Sequence, residues 1–184
     1  ANLSTQAGGG TINMSSAGSS TTFSLTGGNG IDNLTGNGGN DTLTGGGGAD
    51  NLTGGTGNDT FNVDSGTDTI IDLSTGDILV VSGSATANAT NISSFVATSS
   101  TTNAGVANLS TQASGGTINM SSAGSSTAFS INGGNGVDNL TGDSGDDIIT
   151  GGGGSDNLTG GAGNDTFNVN AGNDTITDLS TGDI

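Results

Sequence analysis

The chain has 184 residues and a formal net charge of −17 that comes entirely from aspartate, because it contains no lysine, arginine, histidine or glutamate. Self-repulsion at this charge opposes a compact state, so cations from outside the chain have to neutralise it. Only 28% of the residues are hydrophobic and 3% are aromatic, which excludes a conventional globular core.

The same composition disfavours several classes of function. Nucleic-acid backbones bind cationic side chains, which this chain lacks. Acid–base or nucleophilic catalysis would have only aspartate, serine and threonine to use, so an enzyme is not expected. The longest strongly apolar run, Ile78 to Val81, is far shorter than the roughly 20 residues of a membrane-spanning helix. No transmembrane segment is therefore predicted.

The first segment, residues 1–26, is rich in serine, threonine and glycine. Its patches Thr11 to Met14 and Thr22 to Leu25 have alternating or β-branched character and are bounded by glycine and serine, which predicts short β-strands. No helical period is sustained here or elsewhere in the chain.

Residues 27–79 repeat a nine-residue pattern, G-G-x-G-x-D-x-U-x with U a large apolar residue, as in GGNGIDNLT from Gly27. The aspartates of this pattern are Asp32, Asp41, Asp50, Asp59, Asp68 and Asp77. The apolar residues that follow them by two positions are Leu34, Leu43, Leu52, Phe61, Ile70 and Leu79. The turns before Asp68 and Asp77 lack some of the glycines, which weakens the sites predicted there.

This nonapeptide resembles the RTX, or hemolysin-type, calcium-binding repeat. The resemblance covers residues 27–79 and a matching block, residues 133–184. It implies an all-β fold, a parallel β-roll or β-solenoid with calcium held in its turns.

Elementary geometry leads to the same coil. Six glycine-rich residues can turn and leave carbonyl oxygens free, and x-U-x forms a short strand with U pointing inward. Two turns and two strands make an 18-residue coil, so the facing aspartates are Asp32 with Asp50, Asp41 with Asp59, Asp50 with Asp68, and Asp59 with Asp77. Calcium takes about six to eight oxygen ligands, which carboxylates and turn carbonyls supply, whereas zinc lacks its usual histidine and cysteine ligands here.

Residues 80–132 form a segment rich in serine, threonine and alanine. The patches Ile78 to Val81 and Ile92 to Val96 predict β-strands, and a disordered linker over residues 80–106 is the alternative. Ala107 begins a near-copy of residues 1–78, offset by 106 positions. The sequence therefore predicts tandem repetition of a 106-residue unit with a truncated second copy, taken from a longer array.

The second copy contains the second predicted calcium roll, residues 133–184. Its pattern aspartates, which pair in the same way, are Asp138, Asp147, Asp156, Asp165, Asp174 and Asp183. One turn of this roll has two extra carboxylates, Asp143 and Asp146. We expect both to lie in solvent, and the alternative is that they tighten one calcium site.

Glycine-rich turns are expected to complete the ligand sets. The glycines predicted to take part are Gly28, Gly30, Gly46, Gly48, Gly55, Gly57, Gly134, Gly136, Gly152, Gly154, Gly161 and Gly163. With four aspartate pairs in each copy, the prediction is up to about eight calcium ions per chain.

Repetition every 106 residues favours a structural role, because the RTX blocks of secreted toxins and enzymes usually occur once, near the end of a chain. The chain also resembles bacterial surface-layer proteins that interleave such blocks with Thr/Ala/Ser-rich β-solenoid segments. We predict a secreted, calcium-dependent structural protein of the bacterial cell surface, whose copies associate into a surface layer, sheath or filament. The alternatives are the repeat region of a giant RTX adhesin and the calcium-folded secretion module of an RTX toxin or exoenzyme. Ice binding is disfavoured, because threonine and asparagine do not recur at fixed turn positions.

Overall fold

The computed structural model describes residues 1–18, 20–125 and 127–184, and the regular structure of these residues consists of β-strands. The strands are β1 (Asn2–Ser4), β2 (Gly10–Asn13), β3 (Ser24–Thr26), β4 (Asp32–Thr35), β5 (Thr42–Thr44), β6 (Gly47–Gly48), β7 (Asn51–Thr53), β8 (Thr60–Val63), β9 (Ser65–Ile70), β10 (Ile78–Val81), β11 (Ala85–Ile92), β12 (Ser94–Val96), β13 (Thr102–Asn103), β14 (Val106–Thr111), β15 (Thr117–Asn119), β16 (Phe129–Asn132), β17 (Asn139–Thr141), β18 (Ile148–Thr150), β19 (Gly153–Gly154), β20 (Asn157–Thr159), β21 (Thr166–Asn168), β22 (Ala171–Gly172) and β23 (Thr175–Ile176). These ranges include no helix that could cross a bilayer.

Neighbouring strands are parallel and belong to successive coils of a solenoid. A six-stranded sheet has the order β1-β3-β5-β8-β10-β13, and a ten-stranded sheet has the order β2-β4-β7-β9-β11-β14-β16-β18-β21, with β6 paired to β9. A five-stranded sheet has the order β12-β15-β17-β20-β23, and β19 pairs with β22. The predicted fold class, an all-β parallel solenoid, is confirmed.

Two facing rows of apolar side chains form the interior of the first roll. In the ten-stranded sheet, Leu34 aligns with Leu52, and Leu52 aligns with Ile70. The facing row in the six-stranded sheet is Leu25, Leu43, Phe61 and Leu79. All seven side chains are fully buried. The nine-residue period places successive apolar residues on alternate sheets, so neighbours within one row are two periods apart in the sequence.

The segment between the rolls is also built from strands, although no nine-residue pattern marks it. Ile70 aligns with Ala89 in β11, and Ala89 aligns with Leu109 in β14. The five-stranded sheet begins at β12, before the six-stranded sheet ends at β13. Because these two sheets overlap in this segment, the chain passes through three sheets per coil here and not two. The core of this segment combines small side chains such as Ala89 with the fully buried ring of Phe95. The ten-stranded sheet therefore continues from the first roll into the second.

Candidate metal centre

The pattern aspartates of the first roll form two columns along the solenoid. The Asp50 column consists of Asp32, Asp50 and Asp68, and the Asp59 column consists of Asp41, Asp59 and Asp77. All six residues are at most 2% exposed. In the second roll, the Asp156 column consists of Asp138, Asp156 and Asp174, and the Asp165 column consists of Asp147, Asp165 and Asp183. Each column concentrates negative charge in a chain that has no cationic side chain.

One hydrogen bond recurs between the pattern aspartates of neighbouring coils. The N–H of Asp32 donates to Oδ1 of Asp50, with 2.8 Å between nitrogen and oxygen. The other predicted pairs of the first roll make the same bond at 2.7, 3.0 and 2.8 Å, and those of the second roll make it at 2.9, 2.9, 3.0 and 2.9 Å. The turns that lack pattern glycines therefore stack their aspartates as closely as the regular turns do.

The Asp50 column leaves one buried carboxylate oxygen of each residue without a hydrogen-bond donor. These oxygens are Oδ1 of Asp32, Oδ2 of Asp50 and Oδ2 of Asp68. A Cβ atom added to Gly45 would lie 2.8 Å from Oδ2 of Asp50 and 2.7 Å from Oδ2 of Asp68. Both oxygens therefore face the small space beside this glycine.

The Asp156 column repeats this arrangement in the second roll. Oδ2 of Asp156 and Oδ2 of Asp174 are buried and lack a donor. A Cβ atom added to Gly151 would lie 2.8 Å from Oδ2 of Asp156. Leaving ionised oxygens buried and unpaired is costly, so these positions need a bound cation or a proton.

Hydrogen-bond donors occupy more of the Asp59 column. Asp41 accepts the N–H of Phe23 at Oδ1 and the N–H of Asn37 at Oδ2, at 2.7 and 2.8 Å. Oδ2 of Asp77 accepts both the N–H and the hydroxyl of Ser74, at 2.8 and 3.1 Å. These donors use lone pairs that a cation would otherwise take. The two columns are therefore not equivalent as metal sites.

Burial raises the pKa of several column aspartates. Burial first, and then the charges of Asp50 and Asp64, raise the pKa of Asp68 to about 7. Burial and the charge of Asp77 raise the pKa of Asp59 to about 6. Burial is also the largest cause of the raised pKa of Asp50. A cation bound between the carboxylates would favour their charged forms again.

The donor set fits a hard divalent cation. Each column offers carboxylate oxygens beside glycine-rich turns, without nitrogen or sulfur ligands. Among the residues described, no three acidic side chains converge on one point, so an ion at any pair has to take its remaining ligands from carbonyls or water. Calcium accepts such mixed oxygen sets at flexible geometry, whereas magnesium demands a compact octahedron.

The predicted glycines fall into two groups. Those with φ between 89° and 136° are Gly46, Gly48, Gly55, Gly57, Gly152, Gly154, Gly161 and Gly163, and this backbone conformation favours glycine. The other four are Gly28, Gly30, Gly134 and Gly136, where the neighbouring coil leaves no room for a side chain. A Cβ atom on Gly28, for example, would lie 2.9 Å from Cα of Ala7. The carbonyl of Gly28 already accepts the N–H of Gly47 at 2.8 Å, but a carbonyl oxygen has a second lone pair.

The sequence analysis missed two kinds of residue at the columns. The first glycine of the pattern, such as Gly45, lines the unpaired oxygens more closely than the predicted glycines do. Asp72 lies off the nine-residue pattern, yet its carboxylate accepts the N–H groups of Gly54 and Gly55 at 2.9 and 2.8 Å. Asp178 makes the same two bonds in the second copy. The sequence did contain a signal for this role, because the second copy keeps Asp72 as Asp178.

The two extra carboxylates of the second roll have different environments. Asp146 is exposed, as expected. The expectation that Asp143 lies in solvent is wrong, because only 7% of it is exposed. Its Oδ1 turns back to accept the N–H of Gly145 at 2.9 Å, which draws the side chain under its own turn.

Buried aspartate columns in the turns of a parallel β-solenoid define the chain as a calcium-binding β-roll. Residues 26–61, 35–70, 132–167 and 141–176 each match the RTX calcium-binding nonapeptide repeat. The chain therefore belongs to the RTX calcium-binding nonapeptide repeat family and is a calcium-binding repeat protein. The matched ranges include ten of the twelve pattern aspartates and leave out Asp77 and Asp183. No curated protein and no solved structure matches the chain.

Proposed function

We propose that this chain belongs to a secreted bacterial structural protein, which calcium folds into a rigid rod and whose copies associate into a surface layer, sheath or filament. The pattern aspartates and the glycine-rich turns hold the calcium ions. Residues 27–79 and 133–184 act as the calcium rolls, and residues 1–26 and 80–132 act as spacers. The protein then has an architectural role and not a catalytic one.

One observation carries this proposal, the continuity of the ten-stranded sheet. The sheet starts at β2, runs through the first roll, the segment between the rolls and the second roll, and ends at β21. Because neighbouring strands lie about 4.8 Å apart, each 106-residue unit would extend the rod by about 25 Å. Near-identical units that join without a break are suited to building length, as in other solenoid proteins.

The charge of the chain supports calcium as the folding trigger. Without cations, 17 aspartates repel one another, and the pattern places most of them in buried columns. Eight calcium ions would reduce the formal charge from −17 to −1. Binding to the folded state alone stabilises it by mass action, so we expect folding to follow free calcium in the micromolar to millimolar range, about as for other extracellular calcium modules.

Circular dichroism and electron microscopy test the two parts of the proposal. Chelation of calcium should abolish the β-sheet signal, and added calcium should restore it. A β-sheet signal that is indifferent to the chelator would refute the calcium-dependent role. Micrographs of the native protein should show filaments or lattices with calcium and separate chains without it. Separate, fully folded chains in calcium would instead point to the toxin or exoenzyme alternative.

A further inference from the structure

Four asparagine–glycine bonds are present in the chain, at Asn29–Gly30, Asn37–Gly38, Asn132–Gly133 and Asn135–Gly136. Asparagine is a thermolabile residue. In such a bond the backbone nitrogen of the glycine can attack the side-chain carbonyl carbon of the asparagine, and glycine hinders the attack least because it has no Cβ atom. The reaction needs an asparagine side chain that can move and a glycine N–H that is not held in a hydrogen bond. The four bonds differ in how well they meet these two requirements.

The bonds after Asn37 and Asn132 do not meet the requirements. Asn37 is 6% exposed, and its Nδ2 donates to the carbonyl oxygen of Gly18 in the preceding coil. Asn132 lies in β16, and the N–H of Gly133 donates to the carbonyl oxygen of Thr150 at 2.7 Å. At either bond, the reaction would first have to break a hydrogen bond between neighbouring coils.

The bonds after Asn29 and Asn135 meet both requirements. Both asparagine side chains are exposed. Oδ1 of Asn29 lies beside Gly47 of the next coil, and Oδ1 of Asn135 lies beside Gly153, so neither amide meets a side chain there that could hold it. The glycine that follows each asparagine lies outside the strands, and among the described residues neither glycine N–H has a hydrogen-bond acceptor. The two bonds occupy the same position in the two copies, 106 residues apart.

We propose that Asn29 and Asn135 are modification sites, at which water converts the amide of the folded chain to an acid while Asn37 and Asn132 stay intact. The glycine nitrogen bonds to Cγ of the asparagine and gives up its proton, the bond from Cγ to Nδ2 breaks, and ammonia leaves with that proton. Water then opens the cyclic imide at either of its carbonyl carbons. One opening gives aspartate, and the other gives isoaspartate, whose backbone runs through Cγ and is longer by one carbon atom. The net reaction consumes water and releases ammonia, so it needs no oxidant and no other reactant.

The turn that contains each modification site adjoins a calcium column. In the first copy, the N–H of Gly28 donates to Oδ2 of Asp32 at 2.8 Å, and the second copy has the same bond at 3.0 Å. A Cβ atom on Gly48 would lie 2.8 Å from the carbonyl carbon of Gly30, so the stacked coils leave no space for a longer turn. Isoaspartate should therefore displace the carboxylate that the turn orients. The modification sites go beyond the proposed function, and only this effect on calcium rests on it.

Peptide mapping by mass spectrometry tests the selection among the four bonds. The chain is incubated in calcium at mildly alkaline pH, with its β-sheet signal verified by circular dichroism, and a second sample is incubated in guanidinium chloride. The denatured chain should convert all four asparagines at similar rates. The folded chain should convert Asn29 and Asn135 at least about tenfold faster than Asn37 and Asn132, because the latter two bonds are held by hydrogen bonds between coils. Asn29→Gln is the matched control, because glutamine keeps the amide but would have to form a larger ring; it should abolish conversion at this position and leave Asn135 unaffected.

The outcomes separate the modification sites from the calcium role. Equal rates at all four bonds in a folded sample would refute the proposal, and so would intact Asn29 and Asn135 in a folded sample when the denatured chain is converted. Selective conversion in a folded chain that binds no calcium would support the modification sites and refute the proposed function. Native mass spectrometry should find one calcium ion fewer in chains with isoaspartate in place of Asn29; an unchanged count would refute the effect on calcium alone.

Discussion

Replacement of Asp50 by asparagine should remove two calcium sites with little change in shape. Asp50 lies between Asp32 and Asp68 in its column and is hydrogen-bonded to both neighbours, at 2.8 and 3.0 Å. Its Oδ2 is buried and unpaired. The asparagine side chain keeps an oxygen to accept the N–H of Asp32 but loses the charge that attracts a cation, so Asp50→Asn tests the metal role of this residue and not its packing.

The number of inferred sites to which an aspartate belongs determines how much its replacement changes the calcium dependence of the free energy of unfolding. Once calcium exceeds its dissociation constant, each bound ion adds about 1.4 kcal/mol to the free energy of unfolding for every tenfold rise in calcium. Asp50 belongs to two inferred sites, so the stability gap between wild type and Asp50→Asn should widen by about 2.8 kcal/mol per tenfold rise in calcium. Asp77 belongs to one inferred site, and Ser74 already occupies its Oδ2. The gap for Asp77→Asn should therefore widen by at most about 1.4 kcal/mol per tenfold rise.

Urea denaturation followed by circular dichroism at several calcium concentrations measures these slopes. Asp64→Asn is the matched control, because Asp64 is exposed and lies outside the nine-residue pattern. The difference in the free energy of unfolding between Asp64→Asn and the wild type should not increase as calcium rises. Equal slopes for Asp50→Asn and Asp77→Asn would contradict the inferred pairing of aspartates in neighbouring coils, and equal slopes for Asp50→Asn and Asp64→Asn would contradict a metal role for the column.

Three further changes test the columns. Gly45→Ala should lower calcium affinity at least tenfold in isothermal titration, because its Cβ would lie 2.7 Å from Oδ2 of Asp68, whereas Gly47→Ala, whose Cβ would lie 3.3 Å or more from its neighbours, should bind as the wild type does. The pKa of Asp68 is raised from 3.8 to about 7, so the calcium-free folded state binds more protons than the unfolded state. Its stability should fall as pH rises from 4 to 7, and titrations near pH 6 in two buffers should detect proton release when calcium binds. Asp72→Asn should cost about 1–3 kcal/mol in urea denaturation, because an amide group would face an N–H that the carboxylate now accepts; an unchanged midpoint would exclude this role.

The sequence predicted the parts of the fold that follow from the nine-residue period. The alignment of Leu34 with Leu52, and the hydrogen bond from Asp32 to Asp50, both follow once strands alternate between two sheets. The third sheet, which begins between the rolls, was not predictable in this way. Its strands, such as β12, lie in coils of unequal length, so no fixed spacing in the sequence indicates which residues align.

The environments of individual carboxylates were harder to predict than the columns. The nine-residue period identifies Asp143 as an extra carboxylate in a turn, but its burial depends on the preceding coil, whose strand β15 pairs with β17. Asp72 is similar, because its two bonds are to Gly54 and Gly55 in the coil before it. Contacts between neighbouring coils decide both cases, and a pattern within one coil does not contain that information.

The offset between the copies turns the second calcium roll over relative to the first. Leu25 lies in the six-stranded sheet, but its counterpart Ile131 lies in the ten-stranded sheet. The 106-residue unit therefore spans a half-integral number of coils. In the first roll, the Asp50 column lies at the start of strands of the ten-stranded sheet. In the second roll, the Asp165 column takes that place along the same sheet. The columns with unpaired oxygens then alternate between the two edges of the solenoid. A unit with a whole number of coils would place every such column on one edge, where ion binding would contract that edge alone and bend a long array. The half-coil offset balances the two edges, which fits the straight, calcium-stiffened rod that we propose.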